Sequence, residues 1–265
     1  MTEIKVVVSG ALGKMGLETV KAVLNDNELK LIGLVDIKGE GQSLSSLSAV
    51  KGCDLPVNND LSRVIKLYKP DVLIDFTNPQ SVYSNARIAL QNDVNCVLGT
   101  TGLNDMEIEQ LAILSNKKNK GVAIIPNFAI GAVLMMKFAR EAAKYFTEVE
   151  IIELHHDQKV DAPSGTAIKT AEMIRENLQF KAPRNLKEYE KIAGSRGGDD
   201  DGIRIHSIRL PGLVANQEVI FGGPGQTLII RHDSIDRSSF MPGVVMAVKK
   251  ILQIKGLVQG MEELM

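Results

Sequence analysis

Cysteine is scarce in this chain, with only Cys53 and Cys96 among 265 residues. Two thiols do not make the disulfide framework of a small secreted domain, and they suit a reducing, cytoplasmic setting. Neither sign of charge is in excess. Lys and Arg total 31 against 32 Asp and Glu, for a formal net charge of −1, so bulk electrostatics gives no case for nucleic acid or an anionic membrane as partner. No apolar run approaches the roughly 20 residues of a membrane-spanning helix, and the N-terminus enters a strand-like run with no leader pattern. Metal signatures are missing as well. There is no His-Glu-x-x-His and no Cys/His framework of zinc type. The acidic triplet Asp199-Asp200-Asp201 lacks the spacing and closing Glu of an EF-hand loop. What remains is length enough for one large or two modest domains with buried cores.

The first half alternates strand and helix patterns. Strand-like runs at 4–8, 30–35, 72–76, 95–98 and 122–125 are separated by helical spacing through 24 and at 61–68, 79–92 and 104–118. Repeated βα units imply a parallel sheet with right-handed crossovers, and ligands gather at the carboxyl ends of its strands. From 126 the pattern changes. An apolar helix is expected over 133–146, then a strand over 148–154 and a helix over 166–178. A loose polar segment at 180–202, a candidate lid, is followed by strands at 203–210, 218–221 and 227–232 and a final helix at 238–252. The fold class is therefore α/β: a Rossmann-type parallel-sheet domain plus an α+β domain. The second domain would carry a four-stranded mixed, largely antiparallel sheet whose open face needs cover, which favours a subunit contact.

Chemistry concentrates at a few turns. The first strand runs into Gly10-Ala11-Leu12-Gly13-Lys14-Met15-Gly16 and then a helix. Strand, glycine turn and helix start together make a site for a pyrophosphate. The spacing Gly-x-x-Gly-x-x-Gly departs from the commoner Gly-x-Gly-x-x-Gly. Asp36 ends the second strand-like run, twenty positions beyond Gly16, where a carboxylate binds the adenosine ribose of NAD. Lys14 and Lys38 lie close enough in sequence to admit a 2′-phosphate, so NADH is expected and NADPH stays open. Two later strand ends, Asp75-Phe76-Thr77 and Gly99-Thr100-Thr101-Gly102, offer small and hydroxyl residues for the nicotinamide end.

The densest block is Glu153-Leu154-His155-His156-Asp157-Gln158-Lys159-Val160-Asp161-Ala162-Pro163-Ser164-Gly165-Thr166. It sets two of the four histidines and a lysine at a strand end, beside a helix N-terminus that attracts anions. His155, His156, Asp157 and Asp161 are all possible metal ligands. Adjacent residues of a strand point to opposite faces, however, so the two imidazoles do not readily share one ion, and no metal is expected.

Together with Pro126-Asn127-Phe128, His206-Ser207-Ile208-Arg209 and residues 221–232, these motifs make the chain resemble the bacterial 4-hydroxy-tetrahydrodipicolinate (dihydrodipicolinate) reductase family of the diaminopimelate route to lysine, over essentially its whole length. The glycine turn is common to many nucleotide-binding proteins; the His-His-Lys-Ser-Gly-Thr block is specific. The resemblance implies a dinucleotide-binding domain at 1–126 with 237–265 and a substrate-binding, tetramerising domain at 127–236. It implies NADH or NADPH as cofactor, a cyclic dicarboxylate imine as substrate, and a homotetramer. Carried over, His155 is the proton donor and Lys159 the assisting cation. His156, Lys159, Ser164, Gly165 and Thr166 bind the substrate carboxylates. Gly10, Ala11, Gly13, Lys14, Met15, Gly16, Asp36, Gly99, Thr100, Thr101, Gly102, Pro126, Asn127 and Phe128 fall on the cofactor side. A semialdehyde dehydrogenase is the nearest rival and would need a thiolate. A protein that only senses NADH would have no use for the histidine block.

Overall fold

The computed structural model describes residues 3–48, 50, 53–178 and 189–265. Residues 180–188 of the expected lid lie outside them. The chain divides into two compact units, Met1–Phe128 with Phe240–Met265, and Ala129–Ser239.

The first unit opens with β1 (Ile4–Ser9), α1 (Lys14–Asn25), β2 (Leu29–Val35), a four-residue helix α2 (Leu44–Leu47), β3 (Val57–Asn58) and α3 (Leu61–Tyr68). It continues with β4 (Val72–Asp75), α4 (Pro79–Gln91), β5 (Asn95–Leu98), α5 (Asp105–Lys118) and β6 (Gly121–Ile124). Its sheet is seven-stranded, in the order β12-β6-β5-β4-β1-β2-β3, and every pairing is parallel. The chain moves outward from β1 to β2, then returns to place β4 on the other side of β1. That reversal creates the crevice where ligands of such sheets bind.

Side-chain caps start the helices on the α3–α5 layer. Asp60 accepts from Arg63 N at 3.0 Å, Asn78 accepts from Gln80 N and Ser81 N ahead of Pro79, and Asn104 and Glu107 form a reciprocal capping box. Each such cap contributes about 1 kcal/mol. The apolar faces of these helices bury Leu61, Val64, Ile65, Val82, Ala86, Leu90 and Leu111 against Val7, Leu73, Cys96 and Leu98 of the sheet.

The second unit contains α6 (Ile130–Ala142), β7 (Glu148–His155), α7 (Gly165–Arg175), β8 (Gly198–Asp200), β9 (Ile203–Arg209), β10 (Ala215–Gly223) and β11 (Gln226–Ser234). Its sheet has the order β11-β10-β7-β9-β8. Only the β7–β9 pair is parallel. The chain then returns through a 3₁₀ turn (Arg237–Phe240), α8 (Met241–Ile251), β12 (Gly256–Gln259) and a last 3₁₀ turn (Met261–Leu264).

Several expectations need correction. The second sheet has five strands, because Gly198–Asp200, within the segment read as loose and polar, pairs antiparallel with β9. Two parallel strands of the first sheet, β3 and β12, carried no usable pattern; each is short and exists through its partner, β2 or β6. Helix α6 starts at Ile130, three residues ahead of the expected position. Gly131 opens it because the helix presses on His232, whose Cδ2 would lie 2.4 Å from a Cβ there. It ends at Ala142, and Phe146 leaves the helical path to pack its ring 5.6 Å from that of Phe221. The final helix begins only at Met241, with Pro242 in its first turn, as suits a residue with no N–H to give.

Candidate active site

The strand ends of the first sheet gather β1, β2, β4, β5 and β6 and the turns that follow them. At the first turn, Gly10 has φ +77°, and a Cβ on it would sit 2.4 Å from Phe76 O. Only glycine fits both demands. Gly16 is closer still: its Cβ would meet Gly10 O at 2.0 Å, so α1 packs against its own entry turn. Ala11 and Gly16 are buried and shape the turn from inside, whereas Gly13 and Lys14 are exposed. Gly13 is the N-cap of α1, with no side-chain cap and no acid in the first turn. Asp36 accepts from Leu12 N at 2.9 Å and from Lys38 N at 3.1 Å, tying the end of β2 to the glycine turn. A helix start without a carboxylate, an uncapped N-terminus and an acid beside it are the donor and acceptor set that a dinucleotide requires.

The neighbouring turns share one buried anchor. Asp75 is fully buried at the end of β4. Its carboxylate accepts from Thr77 N at 3.0 Å, Thr77 Oγ1 at 2.6 Å, Thr100 Oγ1 at 3.0 Å and Asn85 Nδ2 at 2.8 Å. One acid therefore joins the turns after β4 and β5 and the helix α4. Gly99 lies against Phe76, whose ring would be 2.1 Å from a Cβ at 99, and the Phe76 ring packs 5.6 Å from that of Phe128. Thr100 and Phe128 are buried in these contacts, whereas Thr101, Gly102 and Pro126 are exposed and Asn127 half-buried. Cys96 is buried in β5. Burial, and then the charge of Asp75, push its thiol far above the ordinary range, which disqualifies it as a nucleophile.

In the second unit the density lies at the end of β7. His155 is its last residue, with a side chain 14% exposed. Its Nδ1 lies 2.5 Å from Glu153 Oε2, and Glu153 is fully buried. Arg209, the last residue of β9, grips the same carboxylate from Nη1 at 2.9 Å and Nη2 at 2.7 Å. Ser164 N donates to it at 3.3 Å. Burial alone would raise the Glu153 carboxyl; the hydrogen bonds from His155, Arg209 and Ser207 outweigh that and hold it down at about 2. Glu153 is therefore ionised at neutral pH and can only accept, so Nδ1 of His155 carries a proton and Nε2 is left for a ligand.

Lys159 follows in the connecting loop. Its ammonium bonds both Asp161 oxygens at 2.7 Å, and this contact holds the Asp161 carboxyl below its usual range. Arg209 Nη2 also donates to Asp161 O at 2.8 Å. The Ala162–Pro163 peptide is cis. Ser164, buried, is the N-cap of α7 and accepts from Ala167 N at 3.2 Å. Gly165 is exposed, and a Cβ built there meets nothing within 4 Å, so the helix mouth is open at that point. His156 and Thr166 are half-buried nearby in the chain. Of the residues weighed as metal ligands, His155 is committed to Glu153 and Asp161 to Lys159.

The expected residues thus fall into one cluster per unit. The sequence named Glu153, Arg209 and Asp75 only as members of motifs; it did not pair Glu153 with Arg209 or show that Asp75 braces two turns and a helix. Arg209 lies 56 positions from Glu153; the only signal was a charged residue alternating into the buried face of a strand.

Two family models match the chain: "Dihydrodipicolinate reductase, N-terminus" over residues 4–128 and "Dihydrodipicolinate reductase, C-terminus" over 131–265. A protein of Syntrophomonas wolfei named 4-hydroxy-tetrahydrodipicolinate reductase is 66% identical over 261 residues, covering 98% of each chain. One of the same name from Desulfitobacterium hafniense is 52% identical, covering 99% of this chain and 98% of that one. Among solved structures, dipicolinate-bound dihydrodipicolinate reductase from Paenisporosarcina sp. TG-14 superposes with a TM-score of 0.88 at 47% identity, covering the whole of both chains.

Proposed function

The chain belongs to the dihydrodipicolinate reductase family and performs its reductase step in lysine and diaminopimelate biosynthesis, and on that premise we propose how its residues divide the work. The reaction converts 4-hydroxy-tetrahydrodipicolinate to tetrahydrodipicolinate, taking up one hydride and one proton and releasing one water. The first unit holds a pyridine nucleotide, NADH or NADPH, and the second holds the cyclic diacid. The glycine turn and Asp36 would hold the nucleotide, whose chemistry when bound is hydride donation.

The observation that carries the proton assignment is the mostly buried His155 at the end of β7, with Nδ1 already engaged and Nε2 available. Negative charge builds on the acceptor as hydride arrives, and His155, entering the step as imidazolium, gives up its Nε2 proton there while Nδ1–H stays hydrogen-bonded to Glu153. Lys159 offsets that charge and the substrate carboxylates. Its present partner, Asp161, is 60% exposed; such a surface pair is worth about 0–1 kcal/mol, so a dicarboxylate displaces it at little cost. His156, Gly165 and Thr166 line the mouth of α7 for one carboxylate, and Ser164 sets that mouth in place. The dipicolinate in the Paenisporosarcina neighbour supports a diacid of this shape. Asp36 favours the ribose hydroxyls of NADH, while Lys14 and Lys38 admit NADPH.

The second unit also supports assembly into a homotetramer. Helices α6 and α7 pack on one face of its sheet, through contacts such as Gly131 with His232 and Gln217 with Thr170. By register the opposite face carries Ile152, Leu154, Ile208, Ile220 and Ile229. Ion pairs Glu150–Arg196, Glu150–His206 and Glu218–Arg231 lie among them. An apolar sheet face studded with paired charges suits a second copy of the chain. Ile229→Asp should lower the mass seen in light scattering from a tetramer to a smaller species; a wild-type monomer would end this part of the reading. Two buried thiols agree with a cytoplasmic setting. Among the described residues no helix is long and apolar enough to cross a membrane.

The deciding experiment is a coupled assay in which the unstable cyclic substrate is generated in situ and oxidation of NADH and then NADPH is followed. Turnover only when substrate is generated supports the reading. Strong exclusive use of NADPH would contradict the role given to Asp36.

A further inference from the structure

We propose that the buried Glu153–Arg209 pair is a positioning device that holds the His155 ring and the Lys159 loop in register for proton transfer. The inference rests on the reading of His155 as proton donor. Glu153 bonds His155 Nδ1 at 2.5 Å, and Arg209 clamps the same carboxylate from both terminal nitrogens. Arg209 Nη2 reaches on to Asp161 O, in the loop whose side chain pairs with Lys159. A continuous chain of contacts therefore runs from the imidazole through the buried Glu153 and the partly buried Arg209 to the loop bearing the ammonium group.

Stability alone is a poor reason for this arrangement. A buried ion pair loses about as much in desolvation as it gains in attraction, and well-packed apolar residues often replace one without loss. What an apolar pair could not do is fix the imidazole. An ionised carboxylate on Nδ1 selects the tautomer and holds the ring plane, so that Nε2 meets the substrate without a reorganisation step, as in other carboxylate–histidine pairs. The groups facing Glu153 from its neighbours are Arg209 and Ser207 on β9, Gln217 on β10 and the Ser164 N–H at the start of α7. Arg209 is the sole cation beside His155 among those that bond the carboxylate. The pair has no other nearby ionisable partner in that set.

Four measurements test the proposal. In ¹⁵N-histidine spectra of the wild-type enzyme at a pH where the ring is neutral, His155 should carry its proton on Nδ1; the opposite tautomer overturns the proposal even if no variant folds. Glu153→Gln should lower kcat about 10–100-fold, the range for loss of an orienting partner, with a smaller change in KM for the diacid and unchanged NADH affinity. An unchanged kcat overturns it. Because Glu153→Gln leaves Arg209 uncompensated, the charge-balanced variant E153Q/R209Q separates folding from positioning. Restored thermal stability with kcat still low supports the role, whereas restored kcat assigns the pair to stability alone and overturns it. In a His155→Ala background, Glu153→Gln should lower kcat no further, and a second loss of equal size would overturn the proposal. Failure of the underlying reading is seen separately, as full turnover in His155→Ala itself.

Discussion

At the strand ends of the first unit the working surface is mostly backbone. Gly10 and Gly16 allow a turn so tight that a single added methyl collides with main-chain oxygen, and the buried acid there, Asp75, only braces neighbouring turns. At the end of β7 the groups proposed to work are side chains, His155 and Lys159, the first braced by the Glu153–Arg209 salt bridge. A cofactor recognised by its phosphates and ribose can be held by N–H groups and one carboxylate, with little that titrates. Proton transfer needs a group that does titrate, and such a group has to be aimed. The second unit therefore uses buried charge to aim a side chain, whereas in the first the buried Asp75 carboxylate only braces turns.

His155→Ala gives the sharpest separation of the two regions. It should lower kcat by about 10²–10⁴, the span for lost acid–base help, while leaving NADH affinity, read by fluorescence titration, unaltered. A parallel loss of NADH affinity would break the comparison. Gly16→Ala probes the other side. Its Cβ would lie 2.0 Å from Gly10 O, so the turn must open at a cost of about 1–3 kcal/mol, typical of overpacking. The expected result is weaker NADH binding and a lower melting temperature with the His155 tautomer unchanged.

Acid titration gives the smallest effect. The folded protein holds Glu153 at about 2, below the roughly 4.3 of a free glutamate. Its contribution to stability is therefore complete above about pH 4.3 and drains away as pH falls toward 2. The stability gap between wild type and Glu153→Gln, followed by urea unfolding, should be constant from pH 5 to 7 and narrow below pH 4. A gap that widens in acid would mean that Glu153 is protonated in the fold.

Much of this was legible in the sequence. The helix Leu61–Tyr68 and the strand Asn95–Leu98 could be read to the residue, because Asp60 and the αL residue Lys69 bound the first and an uninterrupted buried run makes the second. The glycine turn was legible because its demands are local: positive φ and close approach leave glycine alone. Strands β3, β8 and β12 were not: the first two are two and three residues long, and β12 is a partly exposed edge strand without the buried run of Asn95–Leu98, so each is a strand only by virtue of a partner. Asp75 looked like a strand-end acid among others; its four donors come from two turns and a helix that meet only in the fold.

The amino-acid order by itself determined the alternation of the first unit, the tight turn at Gly10 and the clustering of His155, Lys159 and the start of α7, because each rests on neighbours within a few positions. Tertiary structure alone decided that Arg209, 56 residues away, closes on the Glu153 carboxylate that also bonds His155 Nδ1. That closure depends on the parallel pairing of β7 with β9, and strand pairing is a long-range event that no local pattern encodes.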